Sequence, residues 1–310
     1  MGSFLNGDSS PASEKEVQKM MMASATMEIG DNDFLIDEFS QSSSEAQGQA
    51  FYRLAKVYYD KSDLDSAEDY FERALQLTEF PRNIFGSLKI IGFLIRISFE
   101  KLENNKVADY IKQSATLLDD YAKEAPTLNA EYFYYYGMNR SYQKDYADAI
   151  KSFDLAFRKT QEENEPDLGT KVLFAYANSL FQQKNYQKAL EVLGQLHDLL
   201  EIINKEFLKG SLYLLRGNIL AEINEYKEAL TNYELALKMM RVKKSWNLYC
   251  YILLGMGKVS KRLGEFSKAM VFFDLAGSSI DSQKFKHLHQ LITQQVEDVN
   301  DSSVDIYLDK

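Results

Sequence analysis

Apolar residues along most of this chain recur at helical spacing, and the pattern is itself repeated. The stretch "NEYKEALTNYELALKMM" (224–240) reads as one amphipathic helix, with Ala229, Tyr233 and Ala236 on one face. Nearly the same text appears in "DLDSAEDYFERAL" from 63, "DYADAIKSFDLAF" from 145, "NYQKALEVLGQL" from 185 and "EFSKAMVFFDLAG" from 265. Aligned on the shared alanine these give Ala67, Ala149, Ala189, Ala229 and Ala269. The gap of 82 residues between the first two leaves room for one more copy, and halving it lands on Ala108. The spacings are then 41, 41, 40, 40 and 40 residues. A fixed period of this size predicts a solenoid, because a single unit cannot bury its apolar face and must stack on its neighbours.

Within each unit a second helical segment precedes the first. Twelve residues before the alanine stands a small residue: Ala55, Gly137, Ala177, Gly217 and Gly257. Four residues after it comes a large one (Phe71, Phe153, Leu193, Tyr233, Phe273), and seven after it usually another alanine. Small residues on facing helices let their axes approach closely, so each unit is predicted to be a helical hairpin turned at a segment such as "QKDY", "QKNY" or "INEY".

This arrangement resembles the tetratricopeptide repeat. "FYRLAKVYYDKSDLDSAEDYFERAL" places Phe51, Leu54, Ala55, Tyr58, Ala67, Phe71 and Ala74 at that family's signature positions. The resemblance covers about residues 46–281. It is weakest in the second repeat, where Arg96 takes the small-residue slot and the array is expected to bend or splay near 82–126. The units exceed the 34-residue consensus by six or seven residues, as in the long-repeat subclass of Pins-type adaptors and Rap-like regulators. That likeness implies an all-α superhelical solenoid of six hairpins with a peptide-binding concave face. Residues 1–45 carry no repeat signature but offer a helix start at Ser13 and Glu16. Residues 282–300 are expected to form a capping helix, followed by an acidic tail over 301–310.

Composition narrows the function. A formal charge of −10 and a pI near 5.0 oppose general affinity for nucleic acid. No apolar run is long enough to insert in a membrane, the N-terminus does not read as a signal peptide, and one cysteine cannot form an internal disulfide, so a cytoplasmic protein is expected. No convergent catalytic, metal or cofactor set is found. His287 and His289 point to different sides of a helix, Cys250 reads as a packed thiol, and "GMGKVS" (255–260) lacks the context of a phosphate loop.

The concave face carries more information. In tetratricopeptide arrays the first helix of each pair lines the groove, and counting places Lys56, Ile97, Met138, Asn178, Asn218 and Lys258 at the ninth, inward position. Asn178 and Asn218 are candidates to hold a peptide backbone, since an amide both donates and accepts. Tyr134, Tyr142, Phe174 and Phe181 are candidate aromatic contacts, although the same spacing also suits packing between adjacent helices. Lys258, Lys261 and Arg262 belong to a run (241–270) with seven basic residues and one acid, and they predict a positive end to the groove. The expected partner is a protein or peptide, acidic in character, with "GDNDFLIDEF" in the acidic segment 28–45 or the 301–310 tail as rival internal ligands. The function expected is a non-catalytic adaptor, or else a peptide-responsive regulator whose superhelix changes conformation on binding.

Overall fold

The computed structural model describes residues 44–77, 84–125, 127–205, 208–240 and 246–308. The helix start at Ser13 and the acidic segment up to Ser43 lie outside them. Among the described residues thirteen helices follow one another: α1 (Ser44–Asp60), α2 (Leu64–Leu77), α3 (Ile84–Glu100), α4 (Asn104–Glu124), α5 (Ala130–Tyr142), α6 (Tyr146–Glu162), α7 (Pro166–Gln182), α8 (Tyr186–Ile202), α9 (Lys209–Glu222), α10 (Tyr226–Met240), α11 (Trp246–Arg262), α12 (Phe266–Ser278) and α13 (Lys286–Leu308). No strand occurs among the described residues. The chain divides into two compact units, Met1–Ile97 and Ser98–Lys310, so the boundary falls within the second repeat.

In the first unit α1 and α2 form a hairpin around fully buried Ala55, Ala67 and Phe71, and the Phe71 ring stacks on Phe93 at 4.7 Å. The second unit is a solenoid of two layers. Helices α5, α7, α9 and α11 pack successively on one another, and each also pairs with the helix that follows it. The predicted close approaches are present. Ala149, Ala177, Ala189, Ala229 and Ala269 are wholly buried, and a Cβ added to Gly137 would stand 2.7 Å from the Phe153 ring. Leu193 takes the aromatic position in the fourth repeat and is equally buried.

Each repeat turns between its helices in the same way. The Asp145 N–H donates to the Arg140 carbonyl, Asn185 to Leu180, Glu225 to Leu220 and Glu265 to Ser260, each spanning a residue with positive φ. That residue is Lys144, Lys184, Asn224 or Gly264, at +75° for the glycine. Only the last is free of the steric cost of the left-handed region. Nothing lies within 4 Å of a Cβ built on Gly264. Gly264→Ala is therefore expected to lose about 1 kcal/mol through backbone strain alone, read as a lowered midpoint in chemical denaturation.

The same turn corrects the register of the second repeat. Leu102 holds the positive φ there, Glu103 N–H donates to Ser98 O, and Val107 N–H donates to Glu103 O, as Ala149 does to Asp145. The counterpart of the repeat alanine is thus Val107. Ala108 is exposed, Ile95 rather than Arg96 fills the small-residue slot, and buried Ser114 takes the later alanine position. Arg96 moves to the ninth position and is exposed, with its guanidinium over Phe93 at 4.6 Å, while Ile97 is buried. Choosing the alanine by identity misplaced the repeat by one residue, because Val107 and Ala108 are adjacent and both apolar.

The cap is longer than expected. Phe285, Leu288, Ile292 and Val299 are buried where the C-terminal segment meets the last repeat, and α13 runs on to Leu308 through most of the 301–310 segment.

Candidate functional site

The first helices of successive repeats in the second unit lie against one another. Ser141 and Ser179, on α5 and α7, share a hydrogen bond at 2.8 Å, which fixes the relative height of these two helices. The predicted ninth residue stands three positions before Ser141, at Met138, and one position before Ser179, at Asn178. Asn178 is exposed and makes no hydrogen bond among the described residues, so both halves of its amide are available. Asn218 is half-buried, and its Oδ1 accepts a bond from the Tyr233 hydroxyl at 2.8 Å. This leaves the N–H donors as what Asn218 can offer a ligand. The difference follows from the partner helix, since the fourth repeat has Leu193 where the fifth has Tyr233.

Lys258 continues the series on α11. Its side chain reaches solvent and makes no ion pair among the described residues, yet desolvation holds its pKa below the ordinary lysine value, with Glu222 acting in the opposite direction. Exposure together with desolvation describes a group on a recessed surface, where water reaches the ammonium but cannot surround it. A bound anion would restore the stabilisation that solvent gives elsewhere.

The other two predicted cations are already engaged. Lys261 Nζ lies 3.0 Å from Asp298 Oδ2 on the cap. Arg262 donates through Nη1 to the Ala221 carbonyl at 2.6 Å and through Nη2 to Glu222 Oε1 at 2.9 Å, so it closes the C-terminus of α9. The expected positive end is in this way largely neutralised from within. Glu222 occupies the thirteenth inner position one repeat before Arg262, so the same count that chose Arg262 could have found it.

The aromatic candidates divide between contact and packing. Phe174 is 36% exposed, whereas Phe181 is half-buried against the core formed by α7 and α8 and lies 6.0 Å from Tyr186. Tyr134 is half-buried, in ring contact with Tyr135 at 5.0 Å and Phe153 at 6.3 Å, and Tyr142 is also half-buried. Tyr251, at the second inner position of α11, was not singled out from the sequence; its hydroxyl donates to Glu100 Oε1 at 2.6 Å.

Chemistry elsewhere is quiet. Burial raises the Cys250 thiol to about 11, and its Sγ contacts the Ala276 carbonyl at 3.6 Å, so it is protonated at neutral pH. Among the described residues no group of His, Cys, Asp and Glu is placed to hold a metal ion, and no helix is long and apolar enough to cross a membrane.

Comparisons with known proteins agree with this fold. Tetratricopeptide-repeat sequence profiles match residues 48–80 and 210–240. Among solved structures, the apo form of RapI has 14% identity and a TM-score of 0.60, covering 89% of this chain and 99% of its own. NprR in complex with its cognate peptide NprX has 13% identity and a TM-score of 0.61, with coverages of 95% and 89%. A Rap protein complexed with Competence and Sporulation Factor has 10% identity and a TM-score of 0.57, with coverages of 98% and 89%. Comparison with curated protein sequences finds no match.

Proposed function

The chain is built of tetratricopeptide repeats and resembles Rap-like regulators in fold, and we propose that the inner face of its second unit binds an extended, acidic peptide segment of another protein. The observation that carries this reading is that Asn178 and Lys258, at equivalent positions two repeats apart, are uncommitted among the described residues, while neighbouring cations are paired internally. The N–H donors of Asn218 lie between them in the series. Such a row can hold a backbone without reading its sequence, while Lys258 selects for a carboxylate and Phe174 supplies an apolar contact. That NprR, of similar fold, was solved with its cognate peptide supports a peptide ligand. The protein on this reading is a non-catalytic, cytoplasmic adaptor, and the acidic segments 28–45 and 301–310 are rival occupants of the same face.

The test is a soluble peptide library, graded from neutral to acidic, titrated against the full chain by fluorescence polarisation. Asn178→Ala should weaken the best binder by about 5- to 150-fold, the loss of a buried amide contact worth roughly 1–3 kcal/mol, without changing the melting temperature. Asn178 is the cleaner probe, since replacing Asn218 also orphans the Tyr233 hydroxyl. Affinity of Asn178→Ala equal to that of wild type for every library member would remove the backbone-holding role.

A further inference from the structure

The last turn of α3 belongs to the second unit, and it places an aromatic and an acid on residues of α11 and α13. Glu100 Oε1 accepts the 2.6 Å hydrogen bond from Tyr251 across 151 residues of sequence. The Phe99 ring lies tilted against the His287 ring at 4.3 Å. On the corrected register, Phe99 and Glu100 are the twelfth and thirteenth positions of the second repeat, both inward, and Tyr251 is the second inward position of the sixth. The contact is therefore made within the second unit, between residues far apart in the sequence.

This contact is incomplete. Glu100 Oε2 is buried with no hydrogen bond, and 4.0 Å away His287 Nδ1 is likewise buried with none. Buried polar atoms left unpaired offset much of what one good hydrogen bond contributes. Phe99 itself remains 47% exposed despite its ring contact, so the seat covers only part of it. A tie selected for rigidity would complete these bonds or replace them with apolar packing. A contact that must be given up gains from being only partly satisfied.

We propose that Phe99 and Glu100 are a built-in pseudo-ligand, seated on Tyr251 and His287 and displaced by a partner peptide that presents an aromatic residue next to a carboxylate. The inference rests on the peptide-binding reading above and names the chemistry of one of its subsites. Tyr251 supplies a neutral donor and His287 a ring face and a second nitrogen, which together suit an aromatic–acidic pair better than a basic or aliphatic one. Because the internal segment is tethered, its effective concentration is on the order of millimolar, so weak free peptides are excluded until the segment is removed.

Two measurements on the full chain test it. Tyr251→Phe removes only the hydroxyl, and hydrogen exchange of the amides over 98–103 should then quicken by about tenfold or more, as expected for losing a hydrogen bond to a charged acceptor. A fluorescein-labelled peptide spanning residues 97–101 should bind the Phe99→Ala/Glu100→Ala variant at least about tenfold more tightly than wild type. Unchanged exchange in Tyr251→Phe shows that the seat holds nothing and overturns the proposal. Faster exchange without peptide capture reduces the contact to a structural tie and overturns it equally. Neither failure touches the Asn178 titration, which stands or falls on the library peptides alone.

Discussion

Gly255→Ala lowers the stability of the chain by about 2–3 kcal/mol, although alanine is the better helix former by about 1 kcal/mol. The reason is Tyr233, a wholly buried ring on α10 held between two glycines on neighbouring inner helices. A Cβ on Gly217 of α9 would stand 2.7 Å from its Cε1, and one on Gly255 of α11 would stand 2.6 Å from its Cζ. The ring cannot move away from one without meeting the other, and its hydroxyl is tied to Asn218. Overpacking therefore cannot relax by a rotamer change and must separate helices. Gly217→Ala should behave alike, and combining Gly255→Ala with Tyr233→Leu should recover part of the loss. Thermal and urea denaturation read both effects; a melting temperature at or above wild type for Gly255→Ala would show that α9, α10 and α11 do not meet as described.

Lys258→Glu is expected to reduce affinity for the best acidic peptide by about 10- to 100-fold, the range for losing a charge-assisted hydrogen bond and meeting a like charge instead. The loss should shrink as salt is raised, because an exposed ammonium acts partly through a screened field. Its fold should be intact, since Lys258 makes no ion pair or hydrogen bond among the described residues. Lys261→Glu is the instructive contrast. There the new carboxylate would face Asp298 on α13, so the cap loosens whether or not any peptide is present. Titration of both variants with one acidic and one neutral peptide separates the two cases. If Lys258→Glu binds the acidic peptide as wild type does, the carboxylate site is elsewhere.

Much of the architecture was legible because its causes are local and repeated. A small residue, an alanine and an aromatic at fixed intervals define which faces of two consecutive helices can touch, and five copies in phase leave little room for another fold. The second repeat shows the limit of that method. Val107 and Ala108 are neighbours with similar chemistry, and only the turn at Leu102 decides which of them is the counterpart of Ala149. The aromatic candidates show another limit, since spacing places Phe174 and Phe181 alike on the inner helix α7 whereas packing against α8 withdraws Phe181.

By itself the sequence determined the period, the helix pairing and the repeat position that Asn178, Asn218 and Lys258 share, all of which depend on residues within one or two turns of helix. Only the tertiary structure decided which of those side chains remain uncommitted. Lys261 meets Asp298 across 37 residues and Arg262 meets Glu222 across 40, and periodicity cannot tell which of several acids will come within reach of a given cation. Helix faces are set by bonding along the chain, but the pairing of charges is set by how stacked helices place distant residues side by side.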